Sequence, residues 1–129
     1  MSRGATAASI VLGVSLLLSP GRAAAADAAQ ALASLQLKSG GVGAEGREAP
    51  PGFRARLIFA NPEGEYLANV RVIFRMGKFE REGFSEGPWL WVRGEPGRYE
   101  VEARAGGASA RGVLALPPEG AATLILRLR

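Results

Sequence analysis

Residues 99–104 read Tyr-Glu-Val-Glu-Ala-Arg, and this short stretch decides the fold class. Apolar and charged side chains alternate along it. Successive side chains of a β-strand point to opposite faces of the sheet, so a period of two predicts a strand with one face toward a core and the other toward solvent. Half-buried strands of this kind are typical of antiparallel sheets.

The same alternation recurs from residue 53 to residue 129. Glycines at positions 64, 77, 87, 97, 107 and 120 separate the runs at intervals of 10 or 13 residues. Regular turns at this spacing are typical of a β-sandwich or barrel, and no long helix fits between them. The pattern predicts an all-β fold of seven antiparallel strands, at about 53–60, 69–75, 78–84, 89–93, 98–105, 109–116 and 122–128. Residues 78–84 are highly charged, so we expect that strand at a sheet edge.

The first 26 residues have the order of a secretory signal peptide. Arg3 gives a positive start, residues 10–18 are mainly apolar, and residues 24–26 form a small-residue cleavage pattern. We therefore expect cleavage between Ala26 and Asp27. An uncleaved anchor is the alternative, but a membrane span needs about 20 strongly apolar residues, and glycine, serine and threonine dilute this run.

Cleavage after Ala26 would leave 103 of the 129 residues, enough for one domain. Residues 27–52 form an Ala- and Gly-rich leader, of which 27–37 could be a short helix; the sequence leaves open whether the leader packs on the domain of residues 53–129. Export of a chain without cysteine indicates the bacterial periplasm, with the cell surface or secretion as alternatives.

The composition excludes several classes of function. The chain has no cysteine and no histidine, which removes disulfides, thiolate or imidazole metal sites, and nucleophile systems that use a histidine base. Loss of Arg3 and Arg22 with the signal peptide lowers the net charge from +4 to +2, which is no footprint for nucleic acid. We expect no catalytic residue, metal or cofactor, and no integral membrane segment after processing.

Three motifs occur in the C-terminal part of the chain: Ala-Asn-Val-Arg-Val at 68–72, Gly-Pro at 87–88, and Pro-Gly-Arg-Tyr-Glu-Val-Glu-Ala at 96–103, followed by a Leu-rich closing strand. Together they resemble the carboxypeptidase regulatory-like domain. The resemblance covers about residues 38–129 and implies a seven-stranded transthyretin-like (prealbumin-like) β-sandwich. The run at 39–45 is similar to small exported proteobacterial proteins that carry this domain and generally have no assigned activity.

In multidomain relatives, domains of this type act as folding, spacing or interaction modules. The hydroxyisourate hydrolases resemble this chain in fold only. Their catalytic histidines and C-terminal Tyr-Arg-Gly-Ser signature are absent from this sequence, which ends Ile-Leu-Arg-Leu-Arg at 125–129. The resemblance therefore implies no hydrolase activity of that kind.

Trp89 and Trp91 are the candidate binding residues. They lie two positions apart on a predicted strand and so share one face, whereas Leu90 and Val92 share the other. Both faces are apolar, which leaves two arrangements open. Outward tryptophans would form a platform for a sugar ring or a partner's apolar strip. Inward tryptophans would be core, the commoner place for this residue, with Leu90 and Val92 covered by residues 38–52.

Two other motifs favour structural roles. The Gly-rich run at 39–43 lacks the Gly-Lys-Ser/Thr of a phosphate-binding loop and predicts a tight turn. Asn61, Glu63 and Glu65 crowd one loop, but the spacing matches no calcium-binding pattern and indicates a solvated turn.

Charged side chains of the predicted strands also favour structural roles. Arginines would share one sheet surface, where an anionic envelope partner could bind, if their strands were neighbours: Arg54, Arg56, Arg71 and Arg75. Glutamates are predicted to face solvent and to pair with outward arginines across strands: Glu80, Glu82, Glu86, Glu100 and Glu102. Ordinary solvation of the arginines is the commoner arrangement.

These observations predict a non-enzymatic exported module for protein interaction or structural support, with an unknown envelope protein as its partner. The alternative is a carbohydrate- or peptidoglycan-binding module that uses exposed Trp89 and Trp91 to hold a cell-wall glycan.

Overall fold

The computed structural model describes residues 20–43 and 48–129. The predicted signal peptide falls largely outside these residues. The described chain contains one helix, α1 (Pro20–Ala33), and eight strands: β1 (Gln36–Gly40), β2 (Ala55–Ala60), β3 (Val70–Met76), β4 (Phe79–Ser85), β5 (Trp89–Arg93), β6 (Gly97–Ala105), β7 (Ala108–Leu116) and β8 (Ala122–Arg127). The predicted all-β class is confirmed. Each of the seven predicted strands overlaps one of these, and β1 is an additional strand.

The strands form two four-stranded sheets. Sheet 1 has the order β1-β5-β2-β8 and sheet 2 the order β4-β3-β6-β7. Strand β4 lies at an edge, as its charged sequence predicted. Neighbouring strands are antiparallel except β2 and β8, which run parallel from the Ala55–Ala122 pair to the Ala60–Arg127 pair. The prediction of a wholly antiparallel arrangement is therefore wrong at this pair.

Both sheets contribute side chains to one apolar core. Leu57 and Phe59 of β2 and Leu126 of β8 lie in the same cluster as side chains of sheet 2. Burying a large apolar side chain contributes roughly 1.5–3 kcal/mol. The largest fully buried members from sheet 2 are Phe74, Tyr99 and Leu114.

The Tyr99 side chain also fixes the turn before β6. Its hydroxyl donates a hydrogen bond to the carbonyl oxygen of Glu95 at 2.7 Å, and its ring is fully buried. Burial, together with the nearby Glu95 carboxylate, raises the pKa of the Tyr99 phenol. The hydroxyl therefore stays protonated and donates this hydrogen bond at neutral pH.

Residues 27–52, predicted as a leader, supply part of this fold. Ala31, Leu32 and Leu35 belong to the shared core, and β1 pairs with β5 along its whole length. The predicted cleavage point after Ala26 lies inside α1. No helix in the described ranges is long and apolar enough to cross a membrane.

Two glycines allow the N-terminal segment to lie close to sheet residues. A Cβ on Gly87 would lie 2.3 Å from the carbonyl oxygen of Gly40, and a Cβ on Gly94 would lie 2.7 Å from a methyl group of Leu35. Real Cβ atoms do not approach other atoms this closely. The absence of a side chain at both positions therefore allows residues 35–40 to dock.

Candidate functional site

The structure places Trp89 and Trp91 on the outer face of sheet 1. Their neighbours Leu90 and Val92 point the other way and are fully buried in the core shared by the two sheets. The tryptophans are nevertheless covered, with exposed fractions of 9% and 8%. They are thus neither an open platform nor part of the core between the sheets, and they form a second, smaller apolar cluster.

The tryptophan cluster is built from neighbouring strands and the segment that precedes β2. Ile58 of β2 is buried with the two tryptophans, and Phe53 packs against them. The two indole rings meet edge to face, with centroids 6.0 Å apart and planes at 86°. Residues 48–51 and Trp91 line a shallow cavity of about 250 Å³, so this segment lies beside the second ring.

The end of β1 lies against the first ring of the cluster. Gly41 has a φ of 89°, and a Cβ there would lie 2.8 Å from Cγ of Trp89. A left-handed backbone and close contact both require glycine at this position. The Gly-rich run at 39–43, predicted as a tight turn, therefore helps to cover Trp89. The hydroxyl of Ser39 in the same run accepts a hydrogen bond from the backbone N–H of Glu86 at 3.0 Å.

The guanidinium of Arg56 lies over both indole rings. Its Cζ is 4.3 Å from the ring centroid of Trp89 and 5.5 Å from that of Trp91. A cation at this distance from the face of a tryptophan is attracted by the ring, by roughly 0.5–2 kcal/mol depending on desolvation. Sequence reasoning placed Arg56 only in a group of arginines. Its contact with the tryptophans depends on the pairing of Arg56 with Trp91 across β2 and β5, which the local sequence does not give.

Two nitrogen donors in this cluster are buried without a hydrogen-bond partner among the described residues. They are Nε of Arg56 and Nε1 of Trp89. A buried donor left unpaired costs about 1–3 kcal/mol. The cation–π contact between Arg56 and Trp89 offsets part of this cost. The cluster is tightly packed, but these two N–H groups remain without an acceptor among the described residues.

Strand register places a group of basic side chains around the tryptophan cluster. Lys38 and Arg56 both pair with Trp91, from opposite sides of β5, and therefore lie on its face. Parity along the strands adds Arg93 and Arg127, while Arg54, two positions before Arg56, extends the same row. The four strands of sheet 1 contain no acidic residue. We call this surface the basic face, and it consists of Lys38, Arg54, Arg56, Arg93 and Arg127.

Sheet 2 presents a different outer face, on which opposite charges are paired. Glu102 is only 5% exposed and lies at the centre of that face. Its oxygens accept hydrogen bonds from Arg104 and Arg75, both at 2.8 Å, and a nitrogen of Arg111 lies 3.6 Å away. The hydrogen bonds from Arg104 and Arg75 lower the pKa of Glu102 to about 2. Glu102 is therefore ionised at neutral pH and held by arginines on three strands.

Burial of Glu102 corrects the prediction that this glutamate faces solvent. Its parity is outward, as predicted, but the long side chains around it exclude water. Two other glutamates pair with outward arginines as predicted: Glu80 accepts a hydrogen bond from Arg75 at 2.8 Å, and Glu82 pairs with Arg71 at 3.7 Å. The remaining predicted glutamates, Glu86 and Glu100, are exposed.

The four arginines that would have shared one surface are divided between the two sheets. Arg54 and Arg56 belong to the outer face of sheet 1, whereas Arg71 and Arg75 are on β3 in sheet 2. The condition for a shared surface is not met, because β2 and β3, although consecutive in sequence, lie in different sheets. All ion pairs in the described part of the chain lie on sheet 2.

The loop at 61–65 is closed by its own hydrogen bonds. The Asn61 side chain accepts a bond from the backbone N–H of Glu65 at 2.9 Å and donates one to the Glu65 carboxylate at 2.8 Å. Over residues 20–43 and 48–129, no group of three or more acidic side chains is placed to hold a metal ion.

One further cavity, of about 340 Å³, opens next to the basic face. Arg54 and Arg93 line it together with Gln36, Glu95 and residues 116–118. A scan against protein-family models finds no match for this chain, and a search of the curated proteins finds none either.

Proposed function

We propose that this chain is an exported, non-enzymatic β-sandwich module of the transthyretin-like, carboxypeptidase regulatory-like type, which serves protein interaction or structural support in the bacterial envelope. The observation that carries the proposal is the structural use of Glu102, the buried carboxylate of the described chain.

A catalytic acid or base works best with a pKa near the operating pH, and enzymes raise a carboxylate's pKa by burying it in an apolar pocket. Glu102 has the opposite environment. Two arginines hydrogen-bond to its oxygens and a third lies nearby, which holds its pKa near 2. The other acidic side chains of the described residues are exposed. This arrangement favours a rigid surface over a reaction centre.

The proposed sandwich is supported by the packing of both sheets on one core and by the position of the motifs. Gly97 begins β6, Tyr99 is fully buried, and residues 122–127 form the closing strand. These are the elements on which the resemblance depends. Strand β1 adds an eighth strand to the seven that the resemblance implies.

Export is supported by the order of the first 26 residues, which have a positive start, an apolar run and a small-residue cleavage pattern. N-terminal sequencing of the protein from a periplasmic extract tests this part of the proposal: Asp27 is expected as the first residue, and an intact N-terminus would contradict it.

Site-directed photo-crosslinking in cells tests the interaction role. A photoreactive residue would replace Arg98 on the exposed face of sheet 2 in one variant and Ile125 on the face of sheet 1 in another. We expect a discrete, saturable protein adduct from one position, with the other position as the matched control. Absence of an adduct from both faces would contradict a protein-interaction role. A hydrolytic activity abolished by Glu102→Gln would contradict the non-enzymatic proposal.

A glycan-binding module remains the second candidate, and the structure gives it no exposed aromatic platform. The tryptophans are 9% and 8% exposed, and their planes are nearly perpendicular, whereas a sugar ring stacks on an open flat surface. Pelleting with purified cell wall tests this candidate. Retention that is lost in Trp89→Ala/Trp91→Ala, with Phe84→Ala as an exposed aromatic control on sheet 2, would establish it against our proposal.

A further inference from the structure

The two outer faces of the protein differ in how their charges are arranged. On sheet 2, glutamates and arginines neutralise one another through the network around Glu102. On sheet 1 the charged residues of the strands are all basic, and none of them is in an ion pair in the described part of the chain. Glu48 and Glu95 line cavities at the margins of this face, and Glu63 and Glu65 flank Gly64, which lies beside the guanidinium of Arg127.

The cations of the basic face are spread across the sheet, and three of them, Lys38, Arg54 and Arg93, also line shallow cavities at its margins. They come from β1, β5, β2 and β8, the four strands of sheet 1. Adjacent strands are about 4.8 Å apart, so the row spans roughly 15 Å. Lys38, Arg93 and Arg127 are exposed, and Arg54 precedes β2 in an exposed position. Such a row can contact a flat anionic surface at several points at once.

Strand β8, at the edge of the basic face, also carries an exposed apolar side chain. Ile125 on β8 is 52% exposed and pairs with Ile58, which belongs to the tryptophan cluster. Arg127 follows it on the same side of β8, and Arg56 pairs with Thr123 one step away. Apolar side chains ringed by arginine and lysine are typical of surfaces that sit at the boundary between lipid headgroups and acyl chains.

We propose that the basic face binds the surface of an anionic lipid bilayer, with Arg54, Arg56 and Arg127 on headgroup phosphates and Ile125 toward the acyl chains. This inference goes beyond the proposed protein-interaction or structural role and adds a lipid surface as a second binding partner. A bilayer fits better than an extended polymer because the cations come from all four strands of a sheet face that exposes Ile125 at one edge, whereas a polymer chain would be expected to follow a single groove. Arginine suits phosphate because its planar guanidinium donates two parallel hydrogen bonds.

The unpaired Nε of Arg56 in the tryptophan cluster is consistent with binding to headgroup phosphates. Nε of Arg56 has no hydrogen-bond partner among the described residues while its guanidinium lies over Trp89. A headgroup phosphate would supply an acceptor to this arginine. Binding would then draw the cation away from the indole ring, and tryptophan emission would report the event.

Co-sedimentation of the exported protein, purified from a periplasmic extract, with vesicles tests the proposal. The probe is phosphatidylcholine with about one-third phosphatidylglycerol, and pure phosphatidylcholine is the neutral reference. We compare Arg54→Gln/Arg127→Gln on the basic face with Arg71→Gln/Arg98→Gln on sheet 2. Both double variants lose the same charge, and all four side chains are exposed. A thermal melt of each variant confirms that it is folded.

We expect binding to anionic vesicles that weakens as salt is raised, because cations near an anionic surface are screened within a Debye length. The basic-face variant should bind about thirty-fold more weakly, from two lost headgroup contacts, while the sheet 2 variant binds like the parent chain. Equal loss in both variants, or equal binding to neutral vesicles, would overturn the proposal.

Two further outcomes separate the possibilities. Heparin binding that depends on Arg54 and Arg127 without vesicle binding would assign the face to a soluble polyanion and overturn the bilayer. A protein adduct in the crosslinking experiment without vesicle binding would keep the proposed function and reject only this partner.

Discussion

A guanidinium nitrogen of Arg81 on β4 donates a hydrogen bond to the carbonyl oxygen of Leu32 at 3.1 Å, and the same nitrogen donates to the carbonyl oxygen of Leu35. The last carbonyl groups of a helix have no partner within it, and the helix dipole places negative partial charge there. A side chain of sheet 2 thus satisfies and neutralises the end of α1.

Replacement of Arg81 tests how strongly this contact holds the N-terminal segment. In Arg81→Gln we expect the free energy of unfolding to fall by about 1–3 kcal/mol, because hydrogen bonds from a charged donor and a favourable charge at the helix end are lost together. Urea denaturation measures the change. Arg98→Gln, at an exposed arginine, is the control and should stay near the parent value. Equal stability of the two variants would show that the contact contributes nothing measurable.

Gly87 provides a second test of the docking of residues 35–40. An alanine Cβ would lie 2.3 Å from the Gly40 carbonyl oxygen, a backbone atom that cannot rotate away, so Gly87→Ala should push β1 from β5. Overpacking of this kind costs about 1–3 kcal/mol. Hydrogen exchange should show faster exchange at the amides of β1. Gly107→Ala is the matched control, because neither glycine has a positive φ and a Cβ on Gly107 meets open space. Slow β1 exchange in Gly87→Ala would contradict the close approach.

The Glu102 network predicts a dependence of stability on acid pH. The pKa of Glu102 is lowered from 4.5 to about 2, so folding favours the ionised form. The stabilisation is complete above the pKa of the unfolded chain, near 4.5, and is lost as the pH falls toward 2. Urea midpoints measured across this range should decrease in the parent protein.

Two variants isolate this contribution. Glu102→Gln should have a shallower dependence between pH 4.5 and 2, since its amide does not titrate, and lower stability at neutral pH, because Arg75 and Arg104 lose their carboxylate. Glu100→Gln, at an exposed position on the same face of the strand, should keep the parent dependence of stability on pH. A parent slope in Glu102→Gln would mean that other carboxylates cause the acid dependence.

Tryptophan fluorescence tests the cover over the cluster. At exposed fractions of 9% and 8%, both indoles should emit at short wavelength and resist acrylamide quenching. Arg56→Met should increase quenching, because the guanidinium 4.3 Å from the Trp89 ring is one of the groups that shield it. Lys78→Met, at an exposed cation on the other sheet, should leave quenching unchanged. A red-shifted, readily quenched emission from the parent protein would show that the cover opens in solution.

The strands could be predicted because alternation is a local property of the sequence. Residues 89–93 are a strand at the predicted bounds, and the other six predicted strands differ by two residues or fewer at each end. Strand β1 was missed because Gln36–Gly40 has little apolar content and no clear alternation, and β5 alone holds it in the sheet. Its existence depends on glycines elsewhere in the chain, at positions 87 and 94.

The candidate site could be predicted only in part. The shared face of Trp89 and Trp91 followed from their spacing, but which face it was did not, because both faces of β5 are apolar. The answer depends on the order of strands in sheet 1 and on the segment before β2. The burial of Glu102 has the same origin, since Arg75 and Arg111 come from neighbouring strands that only the fold brings beside it.

The parallel pairing of β2 with β8 sets the order in which the protein can fold. Sheet 2 contains two hairpins, β3–β4 and β6–β7, whose strands follow each other directly. In sheet 1, Arg56 must find Thr123, 67 positions later. Contacts between distant positions carry a larger loop-closure entropy and form slowly. Sheet 1 is therefore completed only after β8 has been synthesised, whereas the hairpins of sheet 2 can pair before it.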